Sequence, residues 1–285
     1  MAELDNDFQD LMEDRYAQET WRSYSSATNL FSKFAKRFKL SKSIYDYGSE
    51  TDQPVWVAFV LYAKRKRKVL RDTVRKYLSA YRSMAANIGV NLDFPRMPVL
   101  RAVMKAWKRQ DVGKPLKVPV TAADLKALHA KASALGRNYV AMAHFCYYTL
   151  ARVKEAAAVT WDDVTEYKER VTFRLKRTKT DPFGEETTVL SMSSESWKQV
   201  KDILRSQNRQ NKGSIFNVPK AEAFRSWIKK CLSEGGKKTG HSLRRGGAQA
   251  LFDAGHEIEM IRIKGRWRSR AFERYIDFSS RHISI

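Results

Sequence analysis

The chain has 285 residues, enough for two domains of ordinary size, and 54 Lys and Arg against 31 Asp and Glu give a formal net charge of +23. Hydrophobic residues at 43% and aromatics at 12% exclude a disordered basic tail, so the charge points to a folded protein with a polyanionic partner. A membrane is the weaker polyanion: no apolar run approaches the ~20 residues of a spanning helix, and the acidic start (Glu3, Asp5, Asp7, Asp10, Glu13, Asp14) is unlike a secretory signal.

Residues 1–19 read as an acidic N-terminal segment. From Thr20 the apolar residues Tyr24, Leu30, Phe31, Phe34 and Phe38 recur at helical spacing. A second helix follows Pro54 through Trp56, Phe59, Val60 and Ala63, and a third runs from Asp72 to about Ala86, with Gly89 as its stop. A fourth begins after Pro98 with Leu100, Val103, Met104 and Trp107. These four, with no strand signal among them, make a helical domain over 20–110. The Gly and two prolines in Asp111–Pro119 break both periodicities and mark a linker over 111–119.

The second domain spans 120–285. Thr121 caps a new helix, with Asp124 three residues on in a weak capping box. Tyr139 to Leu150 is apolar nearly all round, the pattern of a buried spine. Val171–Leu175 and Thr187–Leu190 alternate and are β-branched, which predicts a hairpin across Asp181-Pro182-Phe183-Gly184. Helices resume at about Ser194 and Ala221. The fold class is therefore mainly α, with a small β-hairpin or sheet in the second domain. Cys146 and Cys231 have neither metal-site spacing nor a disulfide framework, so no metal is expected and a reducing compartment is.

Several residues of this domain suit chemistry on a phosphodiester. Such a reaction needs cations on the non-bridging oxygens and an acid for the leaving oxygen, and arginine forks serve the first need best. Arg152 follows the apolar spine, where an unpaired cation would be costly; its partner is Glu155 or a phosphate. His241 and Arg244 stand three apart on one helix, placed to grip one phosphate. Lys179 sits in the basic stretch Lys176-Arg177-Thr178-Lys179-Thr180. Tyr275, the only tyrosine after Tyr167, offers a phenol nucleophile.

In this order the motifs resemble the tyrosine recombinases, the phage-type integrases and Xer-like enzymes. Leu150-Ala151-Arg152-Val153-Lys154-Glu155 is similar to the family's first arginine box, Thr178-Lys179-Thr180 to its catalytic-lysine turn, and His241-Ser242-Leu243-Arg244-Arg245-Gly246-Gly247 to its second box. Gly265-Arg266-Trp267-Arg268-Ser269, with Ala271 and Tyr275-Ile276, resembles the version in eukaryotic Crypton and DIRS-like mobile elements. Thr73–Ala80 is similar to the third helix of the family's core-binding domain. One position departs from the pattern: counting back from Tyr275 puts Arg266 in the His/Trp slot, counting forward from His241 puts Trp267 there. Trp267 is favoured, because an indole N–H donates to phosphate while its ring packs.

The resemblance implies a core-binding domain joined to a catalytic domain, and a site-specific recombinase of type IB topoisomerase-like chemistry that needs no cofactor. Tyr275 would form a 3′-phosphotyrosyl link, Arg152 and Arg244 would clamp the phosphate, Lys179 would protonate the leaving oxygen, and His241 would assist proton transfer, with Glu155 and Arg266 supporting. The expected partner is double-stranded DNA, bound by a clamp of the two domains as a homo-tetramer with a dimer per site. The densest basic run, Lys64-Arg65-Lys66-Arg67-Lys68, together with Arg75 and Lys76, is expected to meet phosphates; the run also reads as a nuclear localisation signal. The apolar ending Ile283-Ser284-Ile285 is expected to pack on a neighbouring protomer. The rival is a catalytically silent, sequence-specific DNA-binding protein derived from a mobile element.

Overall fold

The computed structural model describes residues 18–111, 118–130, 136–176, 178, 184, 188–205, 213–218, 220–232 and 238–280. The chain divides into two compact units, Met1–Lys114 and Pro115–Ile285. Most of the acidic segment expected over 1–19, and of the linker expected over 111–119, lies outside the described residues.

Among the described residues the first unit holds four α-helices: α1 (Gln18–Phe38), α2 (Gln53–Arg67), α3 (Arg71–Asn87) and α4 (Pro98–Gln110). Helical spacing in α1 turns Ala27, Leu30, Phe31 and Phe34 inward. They meet an aromatic core in which the Phe31 ring lies 5.4 Å from Trp56, 5.5 Å from Phe59 and 5.9 Å from Tyr81. The polar atoms carried inside with these rings are paired. Trp56 Nε1 donates to the Tyr47 carbonyl at 2.8 Å, and Tyr81 Oη to the Ala27 carbonyl at 2.5 Å. Pro54 in the first turn starts α2 without wasting a backbone donor, and Lys68 ends it in a left-handed cap at φ 51°.

The second unit begins with α5 (Ala122–Ala130), α6 (Arg137–Thr149) and α7 (Val153–Ala158). A three-stranded antiparallel sheet follows in the order β1 (Val164–Glu166), β2 (Arg170–Leu175), β3 (Thr188–Ser193). Then come α8 (Ser194–Arg205), α9 (Ala221–Cys231), α10 (Gly240–Asp253) and α11 (Ile258–Lys264), with short 3-10 turns at Arg270–Tyr275 and Phe278–Ser280. The capping box at Thr121 is complete: its amide donates to Asp124 Oδ2 at 2.7 Å, and the Asp124 amide to Thr121 Oγ1 at 3.1 Å. The buried Lys238 grips the same carboxylate at 2.7 Å and ties the approach to α10 onto α5.

Helix α6 is the buried spine, with α5, α7, α8, α10 and β3 packed on it. Gly247 lets α10 reach it, because a Cβ there would stand 2.0 Å from the Tyr147 carbonyl oxygen. In the sheet, Phe173 faces Val164 on one side and Leu190 on the other, and Val171 and Leu175 bury with it while Arg170 and Arg174 stay out. The two expected strands pair antiparallel, the turn expected at 181–183 lies outside the described residues, and the sheet adds β1, a strand the sequence did not announce: three residues are too few to show a period. A smaller cluster of Leu150, Ala248, Phe252, Ile261, Phe272 and Ile276 packs the C-terminal turns against α10 and α11.

Candidate active site

The site starts where α6 stops. Leu150 takes a left-handed conformation at φ 54°, a strain of about 1 kcal/mol for a residue with a Cβ, and its side chain is fully buried in the smaller cluster. The chain then turns so that Arg152 caps α7, its amide donating to Glu155 Oε2 at 2.8 Å and its guanidinium reaching Oε1 at 2.5 Å. From far along the chain, Arg266 Nη2 meets the other oxygen of Glu155 at 2.7 Å. One buried carboxylate thus bridges two arginines. Burial opposes its ionisation, but Arg266, the Arg152 amide and the Arg152 charge outweigh that, and the carboxyl is held below its usual range.

Arg244 lies beside this bridge on α10, only 2% exposed. Its guanidinium carbon sits 4.4 Å from the centre of the Trp267 ring, and its Nη2 donates to the Gly265 carbonyl. The remaining donors, Nε and Nη1, are buried without a partner. Burial first, then the charges of Arg152 and Arg266, lower Arg244 to about 10, so it stays protonated at neutral pH. Such an arrangement costs stability: each unpaired buried donor carries a penalty of about 1–3 kcal/mol.

The indole that covers Arg244 is itself fixed. It lies flat on Gly265, where a Cβ would stand 1.7 Å from Trp267 Cζ3. Its amide donates to the Arg262 carbonyl at 3.1 Å, and Arg262 Nη1 returns a bond to the Trp267 carbonyl at 2.7 Å. Arg266, between Gly265 and Trp267, holds a left-handed backbone at φ 55°. The Tyr275 ring stands 5.4 Å from Trp267, on a turn anchored by the buried Phe272 and Ile276 on either side of it. The phenol ring itself is half-buried. Cys146, fully buried near Glu155 and Arg244, is no rival nucleophile, since burial pushes its thiol up.

Arg152, Glu155, Arg244, Arg266, Trp267 and Tyr275 therefore converge. His241 heads the same helix as Arg244 and is exposed where Arg244 is buried. Lys179 lies outside the described residues. Of the basic residues in the first unit, Arg65, Lys66, Arg67, Lys68, Arg75 and Lys76 are exposed. Lys64 donates to Gln110 at 2.6 Å and packs over Trp107, while Arg67 donates to the Tyr62 hydroxyl at 3.0 Å. Sequence reasoning passed over Lys264, half-buried two residues before Arg266; its signal was a lysine one turn after the buried Ile261 of α11. Among the described residues no three His, Cys, Asp or Glu side chains are grouped to hold a metal ion.

The bridge makes a measurable claim. Glu155→Gln leaves two arginines facing a neutral amide and lowers unfolding free energy by about 3 kcal/mol at neutral pH. A carboxyl with a depressed folded-state pKa stabilises above its unfolded value and loses that contribution as pH falls through the folded value. Denaturant unfolding should accordingly show the gap between wild type and variant closing in acid. A gap that stays constant from neutral pH to below the ordinary carboxylate range would refute the assignment.

A helical unit built on a buried spine, with a three-stranded antiparallel sheet and arginines converging on a tyrosine near the C-terminus, has the architecture of a tyrosine recombinase catalytic domain. Residues 120–277 match the model of the phage integrase family, and the chain belongs to that family. It is similar over 98% of its length to lambda integrase, solved as a dimer bound to a COC′ core site, at 15% identity, 95% coverage of that chain and a TM-score of 0.66. It is also similar over 95% of its length to the Tn1549 transposon integrase in complex with transposon right end DNA, at 12% identity, 94% coverage and a TM-score of 0.61. At these identities the likeness is one of fold. No curated protein matches the sequence.

Proposed function

We propose that this protein is a site-specific DNA recombinase that cleaves and rejoins strands through a covalent 3′-phosphotyrosyl intermediate on Tyr275. The observation that carries this reading is Arg244, a buried guanidinium with two unpaired donors beside an anchored tyrosine. That arrangement suits a phosphate oxygen, which can accept from a guanidinium fork. In the proposed reaction Tyr275 Oη attacks phosphorus and loses its proton, with His241 assisting. The bond to the 5′ oxygen breaks, and that oxygen takes a proton from Lys179. Arg152 and Arg244 neutralise the non-bridging oxygens as charge builds. Glu155 and Arg266 orient the arginines. The Trp267 ring slides from the face of Arg244 as the phosphate enters, and its indole N–H donates to a phosphate oxygen. The phosphodiester's energy is retained in the phosphotyrosine, so rejoining needs neither ATP nor a metal.

The partner in this reading is double-stranded DNA, which the lambda and Tn1549 integrases carry in their solved complexes. Two dimers, one on each recombination site, make a homo-tetramer in this reading. The Gly265-Arg266-Trp267 style resembles that of Crypton and DIRS-like mobile elements; in that reading the protein acts in a nucleus, and otherwise in the cytoplasm or nucleoid. Incubating a nicked suicide duplex with the protein in EDTA tests the chemistry: a covalent DNA adduct on a denaturing gel is the expected result. Its absence would leave the silent DNA-binding reading.

Two further outcomes follow. Replacing the exposed Arg65 and Lys66 by alanine should weaken binding to all duplexes alike, and should flatten the plot of log affinity against log salt by about 0.9 for each phosphate no longer neutralised. An unchanged slope would remove the run from the DNA interface. At the C-terminus, residues 277–280 are fastened to the chain's own α10: the Asp277 amide donates to Gln249 Oε1 at 2.6 Å, and Ser280 Oγ to Asp253 Oδ1 at 2.6 Å. We propose that the ending 281–285, which lies outside the described residues, is the part that packs on a neighbouring protomer. Deleting these five should reduce recombination more than binding to a single site; equal loss in the two assays would count against it.

A further inference from the structure

Lys264 occupies a position that helical periodicity reserves for an apolar residue. Ile261, one turn earlier on α11, is 1% exposed, and position 264 falls on the same side. The lysine is half-buried, and its Nζ donates to the Ser191 carbonyl of β3 at 3.1 Å, joining residues 73 apart in sequence. Burial lowers its pKa, and the charge of Arg266 pushes in the same direction. A cation at a helix C-terminus needs none of this. Arg262 supplies that role on the same helix from its surface, paired with Glu259 at 2.5 Å. Methionine would fill a similar volume without burying charge next to Arg266, so the ammonium calls for a use beyond packing.

We propose that Lys264 is a positioning residue of the strand-cleavage site, fastening the Lys264–Trp267 turn to β3 so that Arg266 is held where it grips Glu155. Four observations support it. Arg266 follows by two residues and donates back to the Lys264 carbonyl at 3.3 Å. Its backbone is left-handed at φ 55°, a conformation that persists only where the surroundings enforce it. The same turn places the Trp267 ring on Arg244. Ser191 pairs with Thr172, so the tether reaches across β3 to β2, the strands that flank the stretch containing Lys179. Lys264 thus acts through Arg266, Glu155 and Trp267 rather than on the phosphate itself. The inference rests on the recombinase reading.

Lys264→Met and Lys264→Arg in the full chain, beside wild type and Tyr275→Phe, provide the test. The readouts are melting temperature, affinity for site DNA, and the single-turnover rate of adduct formation at saturating nicked duplex. The methionine variant should melt at or above wild type and bind DNA unchanged, yet form adduct about tenfold or more slowly, as expected when a catalytic cluster loses its alignment. The arginine variant, which keeps a donor for Ser191, should recover most of the rate. A methionine variant that cleaves at the wild-type rate, or an arginine variant as slow as methionine, would overturn the proposal. So would a methionine variant whose rate falls only as its folded fraction does. Absence of adduct in the wild-type lane is a separate failure, of the recombinase reading, and takes this inference with it.

Discussion

Tyr275→Phe should form no covalent adduct with a nicked duplex, a loss of at least about 10⁴-fold, while binding DNA and melting as the wild type does. The substitution removes one oxygen and leaves the ring. That ring stays where it is, because Phe272 and Ile276 are buried on either side of it and the Trp267 ring stands 5.4 Å away. The loss is therefore chemical and not conformational. The sequence holds no other tyrosine after Tyr167, and the buried thiol of Cys146 is disfavoured as a thiolate. Adduct formation by the phenylalanine variant would remove Tyr275 from the reaction and with it the order of events proposed above. Adduct from wild type alone would exclude the silent DNA-binding protein.

Most of the helices could be read from the chain because each carries a stripe. Phe31 and Phe34 in α1, and Leu78 and Tyr81 in α3, repeat at the helical period and are buried as that period requires. The Thr121 cap was legible for a different reason: its two hydrogen bonds run between residues three apart, so local sequence contains both partners. Long-range pairing was not legible. Arg266 reaches Glu155 across 111 residues, and nothing in either neighbourhood names the other; the expected order of motifs brought them to the same site without saying that they touch. The spacing of His241 and Arg244 suggested a shared phosphate, yet one is exposed and the other buried. The glycines that follow explain the difference. Gly246 and Gly247 draw one side of α10 onto Val120 and α6, carrying Arg244 inward, while His241 remains exposed between the buried Gly240 and Ser242. Counting along the chain left Arg266 and Trp267 competing for one slot. In space they do separate things, one pairing with Glu155 and the other covering Arg244.

That separation makes Arg244→Met the second decisive variant, because stability and activity should move in opposite directions. The wild-type guanidinium is buried against Arg152 and Arg266, with two donors unpaired and a pKa lowered to about 10. Methionine fills similar volume, ends the repulsion and forfeits one hydrogen bond to the Gly265 carbonyl. Relief of an uncompensated buried charge should offset the lost bond, so the variant is expected to melt at or above wild type. Its adduct rate should fall about 10²–10³-fold, the usual loss when a donor aimed at developing charge is removed. Arg244→Lys keeps the charge but not the fork, and should fall between the two in rate. Scanning calorimetry beside single-turnover cleavage distinguishes the outcomes. If methionine lowers the melting temperature and the rate declines only with the folded fraction, Arg244 belongs to the fold. If stability holds while cleavage collapses, a cation kept at a cost to the folded state is serving the phosphate.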